Sequence, residues 1–124
     1  MGMGRKGEDG DTASEDQTVV GPATFGLDFG DALRALKRGE RVCRAGWNGK
    51  SMWLAKTPGS IVPATAASRT GALLAYVEAE SVEEVRILPH IDMRAADGSL
   101  VIGWLASQTD MLAEDWMIVP ADAA

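Results

Sequence analysis

Arg44-Ala45-Gly46-Trp47-Asn48-Gly49-Lys50-Ser51-Met52-Trp53 is the stretch on which the fold turns. It places two of the chain's four tryptophans around Asn48-Gly49. That dipeptide suits a type I′ hairpin turn, because both central positions need positive φ. The spacing predicts two strands, 41–47 and 51–56, antiparallel about the turn. Strand alternation puts Met52 and Leu54 on one face and Trp53 and Ala55 on the other. The ending Gly49-Lys50-Ser51 resembles that of a phosphate-binding P-loop, but the motif's first glycine would fall at Arg44 and no long helix follows. The ending is read as turn chemistry, with Lys50 available as a point charge.

Upstream, Asp28 reads as a helix N-cap with Asp31 three residues on, near the positive end of the helix dipole. Phe29, Leu33 and Leu36 recur at i, i+4 and i+7 with Ala32 beside them, which makes one apolar face. Lys37 and Arg38 fill the last turn and Gly39 follows, so a helix is predicted over 28–38. Residues 1–17 carry five acids against two bases and are rich in glycine. Such a stretch buries too little surface to offset its ordering entropy, so 1–22 is predicted to be a disordered acidic tail.

Downstream, 57–71 reads as a loop from Pro58-Gly59, Pro63 and many small residues. Residues 72–77 suit a short strand or a helical turn, and 81–85 another turn. A second hairpin, 87–95 with 100–105, is predicted around Asp97-Gly98. Ile91 and Met93 alternate there with Asp92 and Arg94, so one face of that strand is wet or lines a site. Ser107 or Thr109 caps a short helix with Asp110 near N3, and Trp116-Met117-Ile118-Val119 is a last strand stopped by Pro120. Residues 121–124 are expected to fray. Strands in tight hairpins with helices set apart give an α+β class. The expected architecture is a small antiparallel sheet with an N-terminal helix and a short C-terminal helix, a single domain over 23–120.

The net charge of −6 argues against a surface that coats DNA or binds an anionic membrane. One cysteine, Cys43, excludes an internal disulfide and suits a reducing compartment; it reads as a small buried apolar residue. No run approaches the ~18 apolar residues of a membrane span. The expectation is a cytoplasmic protein.

His90, the only histidine, is read as a hydrogen-bonded structural residue. A Ser107/His90/Asp110 catalytic set has no support in the spacing. One cysteine and one histidine make no closed zinc site, and Asp92, Asp97 and Asp110 lack calcium-loop spacing; no metal or cofactor is expected. The tryptophans carry more. Trp53 and Trp116 are assigned to the core. Trp47 precedes a turn and Trp104 ends a strand before a polar capped segment, positions where an indole can stack on a base. Asn48 can read a base or ribose edge. Ser107, Gln108, Thr109 and Asp110 lie at a helix start whose free N–H groups suit a phosphate, although capping alone also explains Ser107 and Asp110.

Three blocks of the sequence together resemble a known family. They are Phe29–Gly39; Gly46-Trp47-Asn48-Gly49-Lys50 with Met52-Trp53-Leu54; and Leu88-Pro89-His90-Ile91 with Trp104–Trp116. The chain is similar, over 25–119, to the Thoeris anti-defence 2 family of small phage and prophage proteins. The resemblance implies a non-enzymatic sponge that binds the cyclic ADP-ribose-type signal of bacterial TIR-domain proteins. It also implies a homotetramer with the nucleotide pocket shared between protomers and, in some members, cyclic oligonucleotides held at a separate pocket. Carried over to this chain, Trp47 and Trp104 become stacking walls, and Asn48, Ser107, Gln108, Thr109 and Asp110 polar readers. Ser51 departs from the family pattern, where glycine is common, and so do the acidic tail and the Ala-rich loop. Two other classes stay open on the residues: an enzyme that cleaves a cyclic nucleotide with His90 or Asp110, and a structural module of a phage with every tryptophan in a core or interface.

Overall fold

The computed structural model describes residues 23–47, 50–67 and 71–122. The predicted tail 1–22, the turn pair Asn48-Gly49 and residues 123–124 lie outside the described residues.

Helix α1 (Phe29–Lys37) forms where its periodicity places it. Asp28 accepts from the Asp31 N–H at 2.7 Å, and Asp31 accepts in return from the Asp28 N–H at 3.2 Å, so two otherwise orphaned donors are satisfied reciprocally. Gly39 ends the helix at φ +92, a conformation a Cβ disfavours. Ala32, Ala35 and Leu36 face inward and are buried.

The strands β1 (Arg41–Arg44), β2 (Trp53–Thr57), β5 (His90–Arg94), β6 (Leu100–Val101) and β7 (Trp116–Val119) form one antiparallel sheet in the order β6-β5-β2-β1-β7. The register Val42↔Leu54, Leu54↔Met93, Val42↔Ile118 and Arg44↔Trp116 lines these side chains along the face that α1 covers. The core sits there: Ala32, Ala35, Leu36, Val42, Leu54, Met93 and Trp116. Complete burial of a Val or Leu side chain stabilises by about 1.5–3 kcal/mol, so Val42, Leu54 and Leu36 fix the register between sheet and helix.

The first hairpin is wider than predicted. β1 stops at Arg44, a single 3₁₀ turn occupies Ala45–Trp47, and β2 starts only at Trp53. The Ala45 N–H goes to Asp115 O at 3.0 Å instead of across the hairpin. The described β1–β2 pairing is therefore centred on Val42↔Leu54 and stops short of the predicted strand ends at 47 and 51. The second hairpin has a three-residue loop, closed by the Ala95 N–H on Ser99 O at 2.8 Å, with Gly98 at φ +90.

The middle of the chain departs furthest from expectation. The predicted loop 57–71 contains β3 (Ser60–Pro63) and a 3₁₀ turn (Ala64–Ala66). Residues 72–77 belong to a full helix, α2 (Ala72–Glu80), and 84–85 begin β4 (Glu84–Ile87). β3 and β4 pair antiparallel as a separate ribbon with α2 against β4, and Val85 is its buried residue. Gly59 is required at the base of that ribbon: a Cβ there would meet Ile87 O at 2.7 Å.

The last segment follows its caps. α3 (Gln108–Leu112) carries a complete Ser107/Asp110 capping box, and β7 continues to Val119 before Pro120. Ala121 and Asp122 form a turn after it. The class is α+β with a small antiparallel sheet and three α-helices among the described residues. No helix among them is long and apolar enough to cross a membrane.

Candidate functional site

The site is built around Trp116, which is fully buried. Its Nε1–H donates to Asp110 O at 3.0 Å, so the indole is tied to α3. Trp47 meets it edge-on with ring centroids 5.5 Å apart, and Trp104 meets it edge-on at 6.5 Å. Phe29 of α1 completes the cluster at 5.5 Å. Edge-to-face pairs at these distances are favoured by the ring quadrupole. Trp47 and Trp104 are both half-buried, so each keeps part of its surface free.

Arg44 holds the elements that carry these rings. It alternates with Val42 and so points to the core side of β1. Its Nε donates to Asp115 at 2.8 Å, and its Nη1 donates to Asp110 at 2.8 Å. Asp115 also accepts from the Gly46 N–H at 2.8 Å, which fixes the 3₁₀ turn that bears Trp47. Gly46 fits closely here, since a Cβ would stand 3.0 Å from Asp115 Oδ2. Arg44 keeps 15% of its side-chain surface and Asp110 14%, so both ion pairs lie largely out of water. Burial pushes the Asp110 carboxyl up, but the bonds from Arg44 and Ser107 outweigh it and hold it below the usual range. Asp115 is held low first by Arg44, against burial, and then by the Gly46 N–H.

The site residues expected from sequence fall into three groups. Trp47 and Trp104 converge on Trp116 as described. Ser107 and Asp110 are committed to each other: the Ser107 hydroxyl donates to Asp110 at 2.8 Å, and the Asp110 N–H returns a bond to that hydroxyl at 3.0 Å. Gln108 and Thr109 are exposed on the first turn of α3. Asn48 lies outside the described residues.

A cavity of about 170 Å³ opens beside Trp47, lined also by Lys50, Ser51, Met52 and Trp53, with Cys43, Arg44 and Val119 behind. Trp104 is not one of its walls. Lys50 is exposed and makes no ion pair to a described residue. Trp53, which sequence reasoning assigned to the core, lies on the sheet face opposite α1, half-buried with the Arg41 guanidinium 5.2 Å above its ring. The reason is register: Leu54 takes the inward position opposite Val42 and Met93, so its neighbour must face out. Trp53 and Arg44 are the residues that sequence reasoning left out of the site. The signal for Arg44 was an arginine at an inward position of a strand, which demands buried acids. Cys43 is half-buried, and burial and the Asp115 charge push its thiol up, so it is a poor nucleophile.

His90 is bonded, as expected of a structural histidine: Nδ1 lies 2.9 Å from Leu88 O and Nε2 3.4 Å from Asp92. Asp92, expected on a wet or site-lining face, is buried and bonded to Thr57 Oγ1 and the Gly103 N–H. Ser107, His90 and Asp110 do not assemble: the partners of His90 are Leu88 and Asp92, and the Ser107 hydroxyl is bonded to Asp110. No cluster of three or more metal-ligating side chains occurs among the described residues.

A family described as the Thoeris anti-defense 2-like domain matches residues 27–119, which include every element from α1 to β7. Thoeris anti-defense 2 of Bacillus phage SP01 is 39% identical over 93 residues, covering 75% of this chain and 94% of the relative.

Proposed function

We propose, from the premise that this chain belongs to the Thoeris anti-defense 2-like family, that it is a non-enzymatic sponge. It binds a cyclic ADP-ribose-type nucleotide, or a cyclic oligonucleotide, and holds it from its effector without cleaving it. The observation that carries this reading is Trp47. A firmly placed indole forms one wall of a cavity whose others include a second indole, Trp53, and the Lys50 ammonium. A flat base, an aromatic wall and a cation beside it suit a nucleotide's base and phosphate.

In this reading Trp47 stacks on the ligand from within the cavity and Trp104, which lies outside it, stacks where a second protomer shares the pocket, while Asn48, Gln108 and Thr109 read its polar edges, and Ser107 and Asp110 hold the first turn of α3 in place. Each stack is worth roughly 1–3 kcal/mol, and two with several phosphate contacts reach nanomolar affinity, about −12 kcal/mol. The cavity of about 170 Å³ is smaller than the roughly 300–1,000 Å³ of ordinary ligand clefts. In this reading a second protomer completes it. Leu100, Ile102 and Leu105 are exposed on the stretch that carries Trp104 and suit such a contact, in a homo-oligomer, a tetramer by family likeness.

The test is calorimetric titration with cyclic ADP-ribose isomers and cyclic dinucleotides, followed by denaturation and mass analysis of the released ligand. Tight binding with the ligand recovered intact is expected; recovery of a cleaved product would make the protein an enzyme.

A further inference from the structure

The segment that carries Trp104 has few ties to the rest of the protomer. β6 ends at Val101, and Ile102, Gly103 and Leu105 are exposed, Leu105 by 89%. The chain turns at Gly103, whose φ of +79 suits glycine. Two consecutive amides fasten this turn to two consecutive residues of β5. The Trp104 N–H donates to Ile91 O at 2.7 Å, and the Gly103 N–H donates to Asp92 Oδ1 at 2.8 Å.

The second bond is unusual in its acceptor. Asp92 is only 7% exposed, on the sheet face away from α1, and a buried carboxylate is costly unless its lone pairs are filled. Here they are: Thr57 Oγ1 donates to Oδ2, His90 Nε2 lies 3.4 Å from the same oxygen, and Oδ1 is left for Gly103. A side chain kept only for packing would be better served by an apolar residue of similar size. What the carboxylate adds is an acceptor aimed at one loop amide.

We propose that Asp92 is a positioning residue for Trp104: by holding the Gly103 N–H it sets the angle at which that indole meets the bound nucleotide. The inference rests on the reading of Trp104 as a stacking wall. Thr57 supports Asp92 in turn, as the hydroxyl that holds its carboxylate oriented. Removing the acceptor frees Gly103 and leaves the Trp104 backbone on the single bond to Ile91.

The test uses the full chain labelled with fluorotryptophan, titrated with the cyclic ADP-ribose isomer that the wild-type protein binds best. Asp92→Ala is expected to weaken binding at least ten-fold and to shift the fluorine resonance of Trp104, with those of Trp47 and Trp53 unmoved. Asp92→Asn keeps an oxygen for the Gly103 N–H and is expected to restore binding to within about three-fold. Should Asp92→Ala not fold, Asp92→Ser poses the same question, since its side chain is polar but one bond too short to hold the Gly103 N–H as the carboxylate does. Lost binding in Trp104→Ala alongside wild-type binding and an unmoved Trp104 resonance in Asp92→Ala overturns the positioning role and leaves the site intact. Wild-type binding in Trp104→Ala overturns the site and this inference with it.

Discussion

At the scale of single residues, Ser51 carries a backbone angle that its side chain disfavours. Ser51 sits at φ +60, the left-handed region that costs a side-chain-bearing residue about 1–2 kcal/mol. Ser51→Gly removes that strain but also gives the unfolded chain more freedom, so the net gain is expected to be about 0.5 kcal/mol. A rise in the denaturation midpoint at constant slope checks it. An unchanged or lower midpoint would mean that the serine is compensated by its surroundings. The sequence carried the opposite bias here, because Asn48-Gly49 advertises a tight turn so strongly. What ends β1 at Arg44 is a tertiary bond that local sequence does not show, the one from the Ala45 N–H to Asp115 O.

At the scale of elements, Arg44 joins the end of β1, the 3₁₀ turn of Trp47 and α3 into one unit. Taking one partner from a buried ion pair costs about 3–5 kcal/mol; Asp115 keeps a third of its side-chain surface, so about 3 kcal/mol is expected for Arg44→Met. The same unit sets the acid behaviour. Asp110, Asp115 and Asp92 are all held below the ordinary value of 3.8 in the folded protein, so the unfolded chain binds protons first as pH falls. Their stabilisation is complete well above pH 3.8 and drains away as pH falls through that value and below it. Chemical denaturation as a function of pH is expected to show this acid limb in the wild type and a flatter one in Arg44→Met. Equal limbs would remove Asp110 and Asp115 from the explanation. α1 and α3 were legible in the sequence because a capping box is a local signal, read from Asp28 with Asp31 and Ser107 with Asp110. α2 was not. Ala72-Leu73-Leu74-Ala75-Tyr76-Val77 is apolar on every side, so it has no helical period to read, and Ser81 closes it at φ +55 where a glycine would have signalled the end. β3 and β4 were missed with it, since their pairing spans the whole of α2.

At the scale of the molecule, β6 is a two-residue edge strand followed by Ile102 and Leu105, exposed by 66% and 89%. An apolar edge of this kind suits the contact between protomers proposed above. Leu105→Asp is expected to lower the mass measured by light scattering towards that of one protomer and to abolish nucleotide binding while circular dichroism is kept. An unchanged mass would place the contact on another face. The candidate site was legible to the extent that its chemistry is local: Trp47 and Trp104 were picked out by their neighbours in sequence. Trp53 was not, because only the Val42↔Leu54 register turns it away from the core and towards the cavity.

The central claim is that Trp47 and Trp104 bind a nucleotide signal that the protein does not consume. The measurement that bears on it most directly is calorimetric titration of the wild-type protein, Trp47→Ala and Trp104→Ala with cyclic ADP-ribose isomers, with the ligand weighed after heat release. Tight binding and intact ligand are expected for the wild type, and folded variants that no longer bind. Folded variants that bind as the wild type does, or a ligand released in cleaved form, would contradict it.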